Sequence, residues 1–590
     1  MLKTRYIVTT LMQLAAVLAL IPASSPSHAG LVKVWLTEGN AGTIRMEPQK
    51  NISPLSGNGK NQYIIKIDPS VKYQTITGFG GTLTEASAHL IYNSPKRNMI
   101  MEKLFSREKG IGISFIRLTV GACDHSLADY NYQNSETGTF SLQHDEKEII
   151  PLVLQALSLN PDLTIMATPW SPPGWMKQDY LDTARAMRGG MLKWGYSRKW
   201  AEYLADYVKG MAAHGITIDY LTPQNEPYNS TKDYPSMNMG KNKALVHLPL
   251  LAKVWAERKL STKILVYDHN LNAEGAGFVR AMFDDPDIGP FMAGSAWHNY
   301  DGYPGDFSIM DSIGTEYPKK EVHFTERTGQ KQDWWGDTFD YLLFTNAKHI
   351  LDAGASSVLF WNIALDENGG PMVNGAKGYN GTGFVTVQSD YTAYHVNPDY
   401  SAVGHYSRIA LPGAVKIGST DFAGSSGFQG AYTHGVYSEA FKNPDGSIGI
   451  MVYNRYLEEK RVSVQLGNSY WDCTLPPISA YSFLHTDQTV SAHGRKQDIS
   501  HHSAAVFLKQ TVKGWQIAFP APVTGEVTFT LYTLAGKKIA MKKVAVNNAE
   551  KVYVTDAKAM VSNNLVIARV TCTDRTFGYQ RTEQLLRPLR

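Results

Sequence analysis

Glu226 and Glu326 each stand directly after a short apolar run, in Leu221-Thr222-Pro223-Gln224-Asn225-Glu226-Pro227 and in Val322-His323-Phe324-Thr325-Glu326-Arg327. A matched pair of carboxyl groups suits the breaking of a glycosidic bond. One protonates the leaving oxygen and the other attacks the sugar carbon or activates water, the two lying ~5 Å apart when configuration is retained. A glutamate in an arbitrary loop is more often half of a surface salt bridge, but the neighbours here weigh against that. Asn225 supplies an amide for a sugar hydroxyl. Trp170, Trp175 and Trp361 follow other apolar runs, around Pro169-Trp170-Ser171-Pro172-Pro173 and Phe360-Trp361-Asn362, and their faces suit the apolar side of a pyranose ring.

Such groups need a frame that brings distant residues to one mouth. From 73 to 405 short apolar runs alternate with longer stretches of helical period, the pattern of repeated βα units. Eight runs read as strands, at 75–80, 111–119, 163–168, 217–222, 263–267, 294–298, 321–325 and 357–361, with helical stretches at 96–104, 148–157, 198–211, 245–257 and 339–351. This predicts an α/β fold centred on a (β/α)8 TIM barrel, in which functional side chains project from the C-terminal ends of the strands. Strands four and seven then face each other across the mouth, carrying Glu226 and Glu326. An open doubly wound sheet would want G-x-G-x-x-G after its first strand, and Gly78-Phe79-Gly80-Gly81 does not supply it.

Around the barrel the rhythm changes. Residues 30–72 alternate apolar and polar (Val32, Val34, Leu36; Tyr63, Ile65, Ile67), and 406–486 returns to short strands with turns, predicting a side β-sandwich that enrols the N-terminal strands. A polar stretch at 487–503, with His493, His501 and His502, reads as a linker rather than a metal tract. Residues 504–590 read as a small C-terminal all-β domain, on Val527, Phe529, Leu531 and the apolar run 565–570. Lys3 and Arg5, an apolar stretch from 7 to 21 and Ser27-His28-Ala29 predict a cleaved signal peptide over 1–29. The expected location is therefore secreted or cell-surface, with the periplasm as alternative. No later stretch approaches the ~20 apolar residues of a transmembrane span.

The net charge of +4 gives no electrostatic case for nucleic acid. Cys123, Cys473 and Cys572 are too few and too scattered for a disulfide framework or a thiolate metal cage, and at most one bridge can join two of them. Two carboxylates and water complete a glycosidic hydrolysis, so neither metal nor cofactor is expected.

These residues together resemble glycoside hydrolase family 30, the retaining β-glycosidases that include lysosomal glucosylceramidase and microbial β-1,6-glucanases. The match spans about 31–484. It rests on Gly78-Phe79-Gly80-Gly81, the strand with Arg117, Ala122-Cys123-Asp124-His125-Ser126, Pro169-Trp170-Ser171-Pro172-Pro173, Asn225-Glu226-Pro227, Thr325-Glu326 and Trp361-Asn362-Ile363-Ala364-Leu365 running to Gly369-Gly370-Pro371, in that order. The resemblance implies a barrel with a side sandwich built from both ends of the catalytic region, Glu226 as acid/base and Glu326 as nucleophile. It implies that Arg117 sits near the nucleophile, where a cation favours the ionised form; taken alone, Arg117 reads as half of a buried salt bridge. It implies that Asn225 meets the sugar 2-hydroxyl, that Glu85, Trp170 and Trp361 hold the terminal sugar, and that His298 and Tyr300 line the site. Asp124, inside a matching motif, joins the substrate-binding set. Taken alone, His298 reads as a structural histidine.

Two departures stand out. Glu85 occupies the place of a shorter Asp in glucosylceramidase, and Arg327-Thr328-Gly329 after the nucleophile is unlike its small apolar run, which changes the leaving-group side. Nothing in the sequence suggests a lipid-facing surface. The expected partner is therefore a β-linked glucan or oligosaccharide, with β-1,6-glucan ahead of a glycolipid, a β-xyloside or a β-fucoside. A non-catalytic surface glycan-binding protein is the rival of another class, and the presence of both glutamates argues against it. The tail, with 527–531, Tyr532-Thr533-Leu534-Ala535-Gly536-Lys537 and 565–570, resembles the C-terminal sorting domains of the type 9 secretion system. That implies secretion machinery as a partner and passage across the outer membrane, with a carbohydrate-binding module or an inert sandwich as alternatives.

Overall fold

The computed structural model of the chain describes residues 30–486, apart from 41–42, 180, 182–185, 302–304, 333, 376–377 and 427–432, and the backbone of five tail strands after 506. The expected signal peptide over 1–29 and linker over 487–503 lie outside the described residues.

Eight parallel strands close a barrel in chain order: β1 (Gly78–Leu83), β2 (Phe115–Thr119), β3 (Thr164–Thr168), β4 (Tyr220–Leu221), β5 (Lys263–Asn270), β6 (Met292–His298), β7 (Glu321–Glu326) and β8 (Ser357–Asn362). All eight expected runs are strands of this barrel. β1 starts at Gly78 rather than at 75, because Thr75 still belongs to a long sandwich strand, Tyr63–Thr75. Gly80 is demanded by the closeness of β1 to β2, since a Cβ there would lie 2.0 Å from the Phe115 carbonyl oxygen.

The barrel is filled by Phe115, Met166, Tyr220, Leu265, Ala296 and Leu359, with the His323 ring against Tyr220 at 5.0 Å. Side chains alternate along a strand, so the residues two positions further on form the next layer up: Arg117, Thr168, Thr222, His298, Thr325 and Trp361. β5 breaks that parity. Its register against β6 shifts between Tyr267 and His269, and Tyr267 and Asp268 both adopt left-handed backbone, with φ of 84° and 58°. The extra residue lets Tyr267 pack outward on Phe278 and Trp297, at 5.3 and 5.2 Å, and turns Asp268 into the barrel.

Expected helices are present at Arg97–Phe105, Ile149–Leu159, Ser197–Ala213 and Lys241–Arg258. The one expected over 339–351 is instead three joined pieces, Trp335–Asp340, a π-helical Tyr341–Lys348 and His349–Asp352. Its residues 342–348 are all buried, so this segment lacks the solvent face of an ordinary amphipathic helix. It supplies much of the contact with the sandwich: Asp340 accepts from Arg455 Nε at 2.8 Å and from the Tyr453 hydroxyl at 2.7 Å, while Lys348 lies 3.2 Å from Glu439.

The sandwich is built from both ends of the catalytic region. Leu31–Glu38 pairs along its whole length with Ser479–Thr486, from Leu31 opposite Thr486 to Glu38 opposite Ser479. Tyr63–Thr75 runs parallel to Lys460–Leu466 on one edge and antiparallel to Val415–Ser419 on the other. The alternating residues noted in the sequence, Val32, Val34, Ile65 and Ile67, are buried with Val462, Val464, Trp471 and Phe483. In the tail, Phe507–Thr511, Gly514–Thr533, Val566–Asp574 and Gly578–Leu586 pair antiparallel in that order, and Lys538–Thr555 pairs with Gly514–Thr533. Cys123 and Cys473 are free thiols. No described helix is long and apolar enough to cross a membrane.

Candidate active site

Above the apolar filling the barrel turns polar, and Asp268 is the hub of that layer. Its Oδ1 accepts from His298 Nε2 at 3.0 Å and Thr325 Oγ1 at 2.7 Å, and its Oδ2 from Arg117 Nη2 at 2.9 Å and Thr222 Oγ1 at 2.7 Å. Burial alone would raise this carboxyl, but Arg117 and His298 outweigh it and hold the group far below the ordinary carboxylate range. The fully buried Arg117 also donates to Glu326 Oε2 and, at 2.6 Å, to Asn225 Oδ1, which leaves the Asn225 amide nitrogen as its donor. The guanidinium lies over Trp170 at 4.8 Å.

Glu226 follows β4 on left-handed backbone, φ 46°, a strained choice for a residue with a Cβ. Its N–H donates to the Asp268 carbonyl at 3.0 Å, so the strained turn after β4 is pinned to the bulge of β5. Glu226 Oε1 lies 3.2 Å from His298 Nδ1 and 3.6 Å from His269 Nδ1, and Oε2 accepts from Asn229 Nδ2 at 2.7 Å. Glu326 Oε1 lies 3.9 Å from the same His298 nitrogen. One imidazole nitrogen therefore faces both glutamates.

Burial opposes a charge on His298, yet the carboxylates of Glu326, Asp268 and Glu226 outweigh it and raise the imidazole to about 9. For Glu226 burial pushes up, but His298, with His269 and Asn229, brings the group down to about 2. Glu326 is raised by burial and by the Glu226 and Asp124 carboxyls, against the pull of His298 and Arg117. The substrate-free site thus keeps a proton on His298 rather than on Glu226, the reverse of what an acid catalyst needs at the start. Moving one proton across the 3.2 Å contact exchanges an ion pair for a neutral pair and leaves the net charge of the layer unchanged.

The other expected residues divide. Trp170 and Trp361 are buried and stacked on each other at 5.3 Å, so edges rather than open faces remain for a sugar. Asp124 has a buried Oδ1 with no hydrogen-bond partner, and burial pushes its carboxyl up to about 7, so near neutral pH it can donate or accept. The Tyr300 hydroxyl meets Thr328 Oγ1 at 3.0 Å. Glu85 is not brought to the glutamates: its Oε1 binds His144 Nε2 at 2.7 Å and its Oε2 accepts from Leu127 N–H at 3.0 Å, a strut under the loop that carries Asp124. Arg327 is held between the rings of Tyr300 and Tyr341, 5.0 Å from each. Sequence reasoning missed Asp268, His269 and Asn229. Asp268 and His269 follow an apolar run in the same way as Glu226, and that rule could have found them. Among the described residues, Glu226, His269 and His298 are the group whose ligand atoms fall within 4.8 Å of one another, where a divalent ion could be held.

Comparison with known proteins agrees with the fold of barrel and side sandwich. A model of the glycosyl hydrolase family 30 TIM-barrel domain matches residues 76–410, and one of the family 30 β-sandwich domain matches 413–483. An endo-1,6-β-D-glucanase of Neurospora crassa is 29% identical over 444 residues, covering 70% of this chain and 87% of its own. The lysosomal acid glucosylceramidase of Mus musculus is 22% identical over 463 residues, covering 71% and 83%. Among solved structures, the endo-β1,6-glucanase BT3312 superposes with a TM-score of 0.67 at 26% identity, over 77% of this chain and 99% of its own.

Proposed function

Because the chain belongs to glycosyl hydrolase family 30 and is a glycoside hydrolase, we propose that it cleaves β-1,6-linked glucan by double displacement, with Glu226 as acid/base and Glu326 as nucleophile. The observation that carries the paired-carboxylate reading is the single His298 nitrogen within 4 Å of both carboxylates, a placement that accommodates the ~5 Å separation of a retaining pair, while which glutamate takes which role follows the family motifs Asn225-Glu226-Pro227 and Thr325-Glu326. As the leaving oxygen arrives, the proton passes from His298 Nδ1 to Glu226 Oε1 and on to that oxygen. Glu326 attacks the anomeric carbon and forms a glycosyl ester, and Arg117 stands ready for the carboxylate when it is released. Glu226, now ionised, takes a proton from the water whose oxygen bonds to the anomeric carbon as the bond from that carbon to Glu326 breaks, and passes the proton back to His298 Nδ1, which restores the starting state. Trp170, Trp361, Asp124, Asn225 and Tyr300 hold the sugar being cleaved.

The preference for β-1,6-glucan over a glycolipid rests on the glucanase relatives and on a mouth lined with polar groups and aromatic edges. The test is product analysis on β-1,6-, β-1,3- and β-1,4-glucans, xylan and glucosylceramide, with Glu226→Gln and Glu326→Gln alongside. Release from β-1,6-glucan with retained configuration, reduced by about a thousandfold or more in both variants, is expected. An inverted product sinks the double displacement, and release from glucosylceramide alone sinks the glucan. The proposal extends to location. Residues 1–29 direct export and the tail strands direct sorting to the outside, so a chain ended after 503 should keep its hydrolysis and stay in the periplasm. Normal secretion of that shortened chain would remove the sorting role.

A further inference from the structure

Two imidazoles from neighbouring strands, His269 of β5 and His298 of β6, converge on one oxygen of Glu226. In a regular strand adjacent side chains point to opposite faces, so Asp268 and His269 could not both serve one site. The bulge of β5 removes that constraint: Asp268 turns into the barrel while His269 Nδ1 comes within 3.6 Å of Glu226 Oε1. That contact is too long for a hydrogen bond, and the nitrogen, itself buried, has no other partner among the described residues.

His298 Nδ1 lies 3.2 Å from the same oxygen. Its other nitrogen meets Asp268 Oδ1 at 3.0 Å, so a neutral His298 keeps its proton there and turns the Nδ1 lone pair towards Glu226. A carboxylate behind the imidazole is the usual support of a histidine that ligates a metal ion. Glu226 is held in the same manner, since Asn229 Nδ2 occupies Oε2 at 2.7 Å and leaves Oε1 to face the two rings.

The distances fit one class of ion. Zinc takes imidazole nitrogen and carboxylate oxygen at about 2.0–2.2 Å, which sets neighbouring ligand atoms of a tetrahedral site ~3.4 Å apart. The two edges from Glu226 Oε1 measure 3.2 and 3.6 Å, and all three donors lie within 4.8 Å of one another. Charge agrees as well. Glu226, Glu326 and Asp268 set three carboxylates against the guanidinium of Arg117, and a dication that replaces the His298 proton balances them. Two imidazoles with one carboxylate favour zinc over magnesium and calcium, which take oxygen ligands. Glu226 and His269 each keep 14% of their side-chain surface open, which gives the ion a way in from solvent.

We propose that Glu226 Oε1, His269 Nδ1 and His298 Nδ1 form a zinc site, with water in the fourth position, and that zinc silences the enzyme by occupying the oxygen that must carry the catalytic proton. The ion is an inhibitor, and hydrolysis itself uses none. The binding stands on the geometry alone, whereas the silencing rests on the reading of Glu226 as acid/base.

The test titrates the metal-free full chain with zinc chloride by calorimetry and follows hydrolysis of β-1,6-glucan in the same buffer. Zinc should lower the rate by about tenfold or more and EDTA should restore it, while magnesium and calcium leave it unchanged. Zinc affinity should fall by about a hundredfold in His269→Ala and His269→Gln, which lose a ligand, and by about tenfold or more in Asp268→Asn, which loses the support of one. Cobalt(II) needs no variant: in the wild type it should show the strong visible absorption of a four-coordinate ion, displaced by zinc. Unchanged zinc affinity in a folded His269 variant, or a weak six-coordinate cobalt spectrum in the wild type, overturns the site. Zinc bound with the expected dependence on His269 but without effect on hydrolysis overturns the silencing and the acid/base role of Glu226 together. A chain that binds zinc in this way yet hydrolyses no glycan overturns the glucanase reading and leaves the ion site standing.

Discussion

The Asp268 side chain touches neither glutamate, yet it joins Arg117, which grips Glu326, to His298, which grips Glu226. It acts through others, as a positioning residue. Asp268→Asn is expected to lower kcat by roughly a hundredfold or more while KM moves little, because the groups that falter serve the transition state. A rise in KM with unchanged kcat would assign it to substrate binding. His298 should respond too: without the Asp268 charge its imidazole is less basic, so NMR titration of the variant should place it below the wild type. Glu226 and Glu326 were legible from type and place, a carboxyl just past a buried run. Asp268 obeys the same rule but has no neighbouring motif to mark it. The contacts of Glu85 were not legible, since its partners His144 and Leu127 lie in a loop whose path the sequence does not announce.

At the scale of elements, Lys177 shows how loops are held without regular structure. Its ammonium reaches Ser171 Oγ and the carbonyls of Met187 and Ser236, with no carboxylate in contact among the described residues, and burial lowers it to about 7. Lys177→Met leaves three buried acceptors without their donor, at a cost of about 2–4 kcal/mol. Thermal denaturation should show a lower Tm, and kcat/KM for β-1,6-glucan should fall with it; an unchanged Tm would mean that water replaces the ammonium. The barrel strands were legible because parallel strands covered on both faces read as short apolar runs. The bulge in β5 was not, because it is decided by where Tyr267 finds its packing partners, Phe278 and Trp297, rather than by any residue preference in Val266-Tyr267-Asp268-His269.

For the molecule as a whole, barrel and sandwich meet over buried polar groups, and one of them reports on acid. His405 is fully buried between Thr37 Oγ1 at 2.8 Å and Ser482 Oγ at 2.9 Å, and burial alone lowers it to about 3. An unfolded histidine titrates near ~6.5, so below that pH the unfolded chain binds a proton that the native state refuses. Stability should therefore fall as pH drops from about 6.5 towards 3, and His125 and His247, both lowered to about 4 chiefly by burial, act in the same direction. Tm measured against pH should slope less in His405→Gln than in the wild type; an equal slope would place the proton uptake elsewhere. The alternation of Val32 and Val34 showed that the first strand needs a partner, but could not say which. That partner is the strand ending at Thr486, 455 positions from Leu31. Whatever emerges first from the ribosome or a membrane pore must therefore wait, edge open, until nearly the whole catalytic region has followed. Neither barrel nor sandwich can be completed early, and activity should arrive all at once, late, rather than grow with the length of the emerging chain.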